Sequence, residues 1–298
     1  DDEFFGTHIG LNELIGDKEV DIISGGPPCQ AYSLAGRIRD TNGMKEDYRN
    51  FLFESYLRVV DYYRPKIIVF ENVEGILSAV PSGKLIVDLV REGFNEIGYE
   101  IVDDLRKYAL LDLSEYGVPQ KRKRVIIIGI RRDKDINYQE ILEEFYTNIL
   151  QLKKIDTKCT VKDAIGNLPP IYPLANPVGK KSHENSNEIN GHKSRFHSER
   201  DQSIFHELAE DIENLTNNYN TSNSLIELYY NKTGKRTNVH KYHVLKWDKP
   251  SNTIPAHLKK DGLRHIHPDS KQKRSITVRE AARIQTFEDD FEFFESMG

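Results

Sequence analysis

Cysteine is scarce in this chain: two thiols, Cys29 and Cys159, occur in 298 residues. Two are too few for a disulfide framework, and the ten histidines stand at no metal-ligand spacing from them. Free thiols and no metal are therefore expected. No apolar run approaches the roughly 18 residues that a membrane span needs, and the acidic start Asp1-Asp2-Glu3 is the opposite of a signal peptide. The expectation is a cytoplasmic protein with no membrane partner. Excess positive charge is also missing: 42 Lys and Arg against 47 Asp and Glu leave a net charge of −5. That excludes a chain that is basic throughout, as simple nucleic-acid binders are. Neither an internal repeat nor a low-complexity tract is present, which sets aside solenoids and disordered linkers.

What the chain does contain is an alternation of strand and helix patterns, with polar groups placed at their ends. Val20, Ile22 and Ile23 form a short β-branched run that stops at Gly25-Gly26-Pro27-Pro28-Cys29-Gln30. This reads as a buried strand whose carboxyl end turns on two glycines and presents a thiol on a stiff diproline segment. Phe51, Leu52, Tyr56, Val59, Val60 and Tyr63 recur at helical spacing until Pro65 stops them. Lys66 to Phe70 is a second buried-strand run, ending in Glu71-Asn72-Val73. Leu85 to Ile97 is a second helix, closed by Gly98, and Tyr99 to Leu111 alternates loosely like one strand. Gln120-Lys121-Arg122-Lys123-Arg124 then leads into Val125 to Ile130, a strand whose polar cluster precedes it instead of following it. Such a pattern predicts a parallel or mixed sheet sandwiched by helices.

Beyond Ile155 the texture changes. Pro169-Pro170, Pro173 and Asn176-Pro177 punctuate a loop-rich region that reads as a second domain or a large insertion. Charge separates along it: Glu184 to Tyr230 holds nine acidic and three basic residues, whereas Asn231 to Arg283 holds fourteen basic and four acidic. The second stretch is a phosphate-binding signal. Thr277-Val278-Arg279-Glu280 is a capping box that opens a helix over Ala281, Ala282, Ile284 and Gln285.

A thiol, a carboxyl and a pair of guanidiniums at element ends suit one chemistry. Cytosine is electron-poor at C6, so a thiolate adding there makes C5 able to attack an electrophilic methyl group. The reaction needs a thiolate, a carboxyl for N3 and a cation for O2. Cys29, Glu71 and the Arg122/Arg124 pair could supply them.

The same residues carry a resemblance. Gly-Gly-Pro-Pro-Cys-Gln with Ser33, Glu71-Asn72-Val73, Gln120-x-Arg122-x-Arg124 and Arg279-Glu280-x-Ala282-Arg283-x-Gln285-x-Phe287 occur in this order. Together they resemble the C5-cytosine DNA methyltransferase family over about residues 20 to 295. The resemblance implies an α/β fold: a Rossmann-like, S-adenosylmethionine-dependent methyltransferase sheet with helices on both faces, plus a smaller irregular target-recognition domain. Residues 1–156 would be the catalytic domain, shortened at its amino end, and 157–298 the target-recognition domain with its Arg-Glu-x-x-Arg helix. By the same resemblance Cys29 is the nucleophile, Glu71 contacts N3 and N4 of the flipped base, and Arg124 contacts O2 with Arg122 and Gln120 beside it. Asn72 would hold the Pro28-Cys29 loop, Gln30 and Ser33 would meet DNA when that loop closes, and Pro28, Leu52 and Ile9 would line the S-adenosylmethionine pocket. Thr253, Lys259, Lys260 and Arg264 are the remaining DNA candidates, with His265 and His267 as further phosphate contacts. Arg279 and Glu280 are expected to form a structural ion pair and helix cap, and Arg283 to support them.

The implied partner is double-stranded DNA, bound by a monomeric bacterial protein at the nucleoid, with a cognate restriction endonuclease as a genetic and not a physical partner. Two family features are absent from the sequence: the Phe-x-Gly-x-Gly turn that grips the methyl donor, and a closing Gly-Asn-x-Val stretch. We therefore expect an internal piece of a longer enzyme that by itself binds the donor weakly. Two other readings stay open: a DNA-binding fragment inactive for want of a complete donor site, and a transfer-RNA cytosine-5 methyltransferase.

Overall fold

The computed structural model describes residues 10–27, 52–80, 83–185, 188–240, 242–255 and 262–294. Cys29, Pro28, Gln30, Ser33, Ile9, Lys259 and Lys260 lie outside them. The chain divides into two units, one of residues 1–112 and 123–154 and one of residues 113–122 and 155–298. No helix among the described residues is long and apolar enough to cross a membrane.

The first unit is built on a mixed sheet. Its elements are α1 (Leu11–Ile15), β1 (Ile22–Gly25), α2 (Leu52–Tyr63), β2 (Ile67–Val73), α3 (Ile86–Glu96), β3 (Tyr99–Ile101), α4 (Leu105–Tyr108), β4 (Leu110–Asp112), β5 (Lys123–Arg131) and α5 (Tyr138–Glu144), which runs into a π-helical turn over Phe145–Ile149. The order is β1-β2-β5-β3, with β4 also on β5; β1 and β2 are parallel, and every partner of β5 is antiparallel to it. One face, with Ile68, Phe70, Val125 and Ile127, is buried with Tyr56 and Val60 of α2 and Ile86, Val90 and Phe94 of α3. On the opposite face Ile128 and Ile130 join Leu142 and Phe145 in the same apolar cluster, while Ile67 at its margin is exposed. Helices therefore cover both faces of the sheet, as the alternating pattern requires.

The single strand expected over Tyr99 to Leu111 is a strand, a helical turn and a second strand. Asp104 breaks it, because its side chain caps α4 by accepting from Lys107 N. A gap is left along β5 between the β3 and β4 pairings, and Tyr146 fills it: its hydroxyl accepts from Ile128 N at 2.8 Å and donates to Ile126 O at 2.9 Å. Buried backbone groups that lack a strand partner are thus satisfied by a side chain.

The second unit has little regular sheet. It contains α6 (Val161–Ile165), the hairpin of β6 (Pro173–Val178) and β7 (Lys181–His183), α7 (Glu199–Glu213), α8 (Ser222–Thr233) and α9 (Val278–Ile284). Single bridges join Gln120 to Ser251, Val244 to Ile266 and Ile266 to Ser275. One apolar cluster gathers α7, α8, Tyr242, Val244 and Ile266; another gathers α6, Leu245, Ile254, Ile276 and α9.

Candidate active site

The sheet explains why one polar cluster follows its strand while another precedes one. Because β5 is antiparallel to β2, the amino end of β5 lies beside the carboxyl end of β2, with Val73 paired to Arg124 and Glu71 to Ile126. Residues two apart share a face of a strand, so Glu71, Val73 and Arg124 project from the same side. Arg124 Nε donates to Glu71 Oε1 at 2.8 Å, and Arg124 Nη1 donates to Lys123 O at 2.8 Å. The arginine is well covered, while the Glu71 side chain keeps 42% of its surface exposed and can still meet a ligand.

Asn72 points to the other face and is buried. Its Oδ1 accepts from Val73 N at 2.9 Å, and its Nδ2 donates to Pro27 O at 3.4 Å. That longer bond ties the end of β2 to the last described residue before the cysteine loop. The approach on the Glu71 side is tighter still. Parallel register sets Gly25 beside Phe70, which brings Gly26 to Glu71, and a Cβ on Gly26 would stand 2.9 Å from Glu71 Oε2. A Cβ on Gly25 would stand 2.6 Å from the Tyr56 ring. Close approach therefore accounts for Gly25, which faces a buried ring, whereas a side chain at Gly26 would displace the end of the Glu71 carboxylate.

Tyr56 was not singled out from the sequence, where it is one apolar position of an amphipathic helix. Its hydroxyl lies 3.0 Å from Ile23 O and 3.2 Å from Val69 O, bridging β1 and β2. Burial, then the charge of Tyr99, raises its pKa, so it stays a donor.

The remaining expected residues belong to the second unit or to the start of α2. Leu52 opens α2 and is half-buried. Gln120 is fully buried, bridged to Ser251 through its backbone, and its side-chain amide has no partner among the described residues. Arg122 O accepts from Leu113 N at 2.9 Å. Thr253 is exposed, and its hydroxyl donates to Lys121 O at 2.7 Å. Arg264 is exposed, with its carbonyl accepting from Asn252 Nδ2.

Three expectations are corrected. His265 and His267 are buried, so they are not phosphate contacts; His267 lies 3.5 Å from Glu280 and packs against Trp247. Glu280 pairs with Arg274 and not with Arg279: Arg274 Nη1 and Nη2 each donate to its carboxylate at 2.7 Å, and both side chains are buried. Burial alone would raise the Glu280 pKa, but Arg274 and the capping bond from Thr277 N hold it well below the usual carboxylate range. Arg279 instead donates to the carbonyls of Asn190, Glu288 and Phe291 and lies over Phe293. Nothing in the sequence marked Arg274, a polar residue just before the capping box. The capping box itself forms as read, with reciprocal bonds between Thr277 and Glu280. Arg283 bonds Asp289 and Asn167.

The profile of the C-5 cytosine-specific DNA methylases matches residues 7–297. The chain belongs to this family. Among its relatives, a type II methyltransferase of Bacillus paralicheniformis is 37% identical across 92% of this chain and 64% of its own length. A type II methyltransferase of Desulfomicrobium norvegicum is 30% identical across 93% of this chain and 64% of its own. The chain thus spans about two thirds of the length of these relatives. A prophage-encoded DNA modification methyltransferase of known crystal structure (E. coli) aligns over 98% of this chain and 76% of its own, with 25% identity and a TM-score of 0.55. The α/β fold described above is therefore that of a methyltransferase of this family.

Proposed function

We propose that the chain carries the reaction centre of a DNA (cytosine-5-)-methyltransferase. The observation that carries this reading is the Glu71–Arg124 ion pair, set where β2 ends and β5 begins, directly beside the start of the Gly-Gly-Pro-Pro-Cys-Gln loop. A carboxylate and a guanidinium on one face present an acceptor or proton donor for N3 and N4 and a cation for O2 of one pyrimidine ring. The Cys29 thiolate would add to C6, forming the S–C6 bond while electron density moves through the ring toward N3, where Glu71 meets it. Loss of the C5 proton and expulsion of Cys29 would later restore the aromatic ring. Arg122 and Gln120 support Arg124 in this scheme, and Asn72 holds the loop through Pro27. A base stacked inside a duplex cannot reach these groups, so the target cytosine must be swung out.

S-adenosylmethionine would supply the electrophilic methyl group. The described residues fit it: the parallel strands β1 and β2 end side by side at Gly25-Gly26 and Glu71, the crevice where open α/β sheets hold nucleotide ligands. Gly26 leaves that crevice without a side chain. Leu52 is the described lining residue, with Pro28 and Ile9 as further candidates. The second unit, which holds Thr253 and Arg264, would read double-stranded DNA in a bacterial cytoplasm, alongside Gln30, Ser33, Lys259 and Lys260.

Bisulfite sequencing of duplex DNA from cells expressing the protein tests the reading. The expected result is 5-methylcytosine at one recurring sequence, lost in Cys29→Ser while DNA binding persists. Methyl transfer by Cys29→Ser, or transfer to transfer RNA and not to duplex DNA, would overturn it.

A further inference from the structure

The face of the first unit's sheet that turns away from α2 and α3 is only partly covered. The segment led by α5 lies over its β5 side, where Ile128 and Ile130 pack with Leu142 and Phe145. Toward β1 the face stays open: Ile22 and Ile67 are register partners on neighbouring strands, and both are exposed. Ile23 and Ile68, one residue on, turn into the buried cluster on the other side. Between helix and strands runs a groove of about 410 Å³, lined by Ile67, Ile128 and Ile130 from the sheet and by Ile141, Phe145 and Ile149 from the helix.

The helix carries two apolar stripes. It continues from α5 through the π-helical turn into a tighter turn over Gln151–Lys153. Tyr138, Leu142 and Tyr146, four residues apart, are buried. Ile141, Phe145, Ile149 and Leu152 follow at steps of four, four and three, which is again the spacing of one helix face. Of these, Ile141, Ile149 and Leu152 are exposed, Leu152 to 84%. Single exposed apolar residues are ordinary, but a strip that joins a groove marks a surface made to meet another.

This strip matches itself when turned end for end. About a point beside Thr147, Ile141 falls opposite Leu152 and Phe145 opposite Ile149. The same turn sets the acidic first half, with Glu140, Glu143 and Glu144, toward Lys153 and Lys154 at the end. Acid first and base last also suits the dipole of the helix itself, so the apolar strip carries the inference and the charges give it a direction. Thr147, at the turning point, already donates its hydroxyl to Glu143 O at 2.8 Å, so covering it strands no polar group.

We infer that this face is the interface of a twofold dimer, in which the α5 segment of each subunit lies antiparallel to its counterpart and enters the groove beside it. A second copy is the occupant because a twofold interface requires one surface to complement itself, and this strip does so in its apolar and its charged positions. The inference departs from the monomer expected from the family resemblance, and it does not depend on the methyltransferase reading.

Sedimentation equilibrium of the 298-residue chain between about 1 and 100 µM tests it. The expected result is a rise with concentration to twice the mass of one chain. Ile149→Asp places a charge at an exposed position, so its circular dichroism should keep the wild-type helix content while the dimer weakens at least about a hundredfold. Glu140→Lys and Lys153→Glu should each weaken it about tenfold, and the double variant, which restores opposite charges across the axis, should regain most of that loss. A chain that stays monomeric throughout, a dimer indifferent to Ile149→Asp, or a double variant no tighter than the singles overturns the inference. So does a longer polypeptide containing this chain that is monomeric, because another of its own segments then fills the groove.

Discussion

At the scale of single residues, the arginine that neutralises the buried Glu280 was invisible in the sequence. Arg274 is fully buried, and its donors are used by Glu280, by Gln272 Oε1 and by Ser275 O. Replacing it with Met leaves the Glu280 carboxylate buried without its counter-charge, which costs about 3–5 kcal/mol. Urea unfolding should register that loss, and adding Glu280→Gln should recover part of it by removing the stranded charge. A single variant within 1 kcal/mol of wild type would show that Glu280 finds another partner. By contrast, Glu71 and Arg124 were legible as chemistry from their residue types and order. Their ion pair was not, because it depends on which edge of β2 the later strand joins.

At the scale of elements, β1, β2 and α2 act as one clamp behind the cysteine loop. Tyr56 supplies it: the ring packs edge-on against Phe70 and Phe94 while the hydroxyl bridges two strands. Tyr56→Phe keeps the ring and drops the bridge, so thermal unfolding should show a loss of about 1 kcal/mol. Gly25→Ala tests the same clamp from the other side. Its Cβ would press on the Tyr56 ring, so the strand end or the ring must move, at about 1–3 kcal/mol. Methyl transfer should fall more steeply than stability in that variant, because the displaced strand end leads straight into Pro27 and Cys29. Activity that survives Gly25→Ala unchanged would mean that the loop is not aimed by β1. The helices and strands of this clamp follow from periodicity; the break at Asp104 inside the expected Tyr99 to Leu111 strand does not, since capping competed with an alternation that was itself weak.

At the scale of the whole molecule, the second unit is organised around buried histidines as much as around apolar clusters. His183, His192, His197, His265 and His267 are all buried. Burial, followed by the charges of Arg195, His183 and Arg274, pushes the His197 pKa down to about 3. Burial and Arg274 push that of His267 down to about 4 against the opposing pull of Glu280. Between their ordinary value of 6.5 and these folded values, the unfolded chain binds protons that the folded chain refuses. Stability therefore falls as pH drops through that window, by about 2 kcal/mol per histidine between about pH 7 and pH 5. The contribution of Glu280 has the other limit: with its pKa lowered, it persists until pH falls below the ordinary carboxylate value and is lost only under stronger acid. Trp247 is the single tryptophan and packs against His267, so its fluorescence during urea unfolding reports on this unit directly. A midpoint unchanged between about pH 7 and pH 5 would mean that these rings are protonated in the folded state.

By itself, the sequence determined the strands and helices of the first unit outside Tyr99 to Leu111, the family, and the identity and order of the thiol, carboxyl and guanidinium groups. Those are local matters of residue type, spacing and period, and neighbours along the chain suffice to express them. Tertiary structure alone decided that β5 runs antiparallel to β2, so that a cluster preceding one strand and a cluster ending another face each other. Only the tertiary structure, too, could place residues 113–122 with the second unit, through the pairing of Gln120 and Lys121 with Ser251. Partners more than a hundred residues apart leave no period in a sequence. Both Arg274 and Arg279 are buried, and Glu280 pairs with Arg274 because the fold turns the Arg279 guanidinium to the carbonyls of Asn190, Glu288 and Phe291.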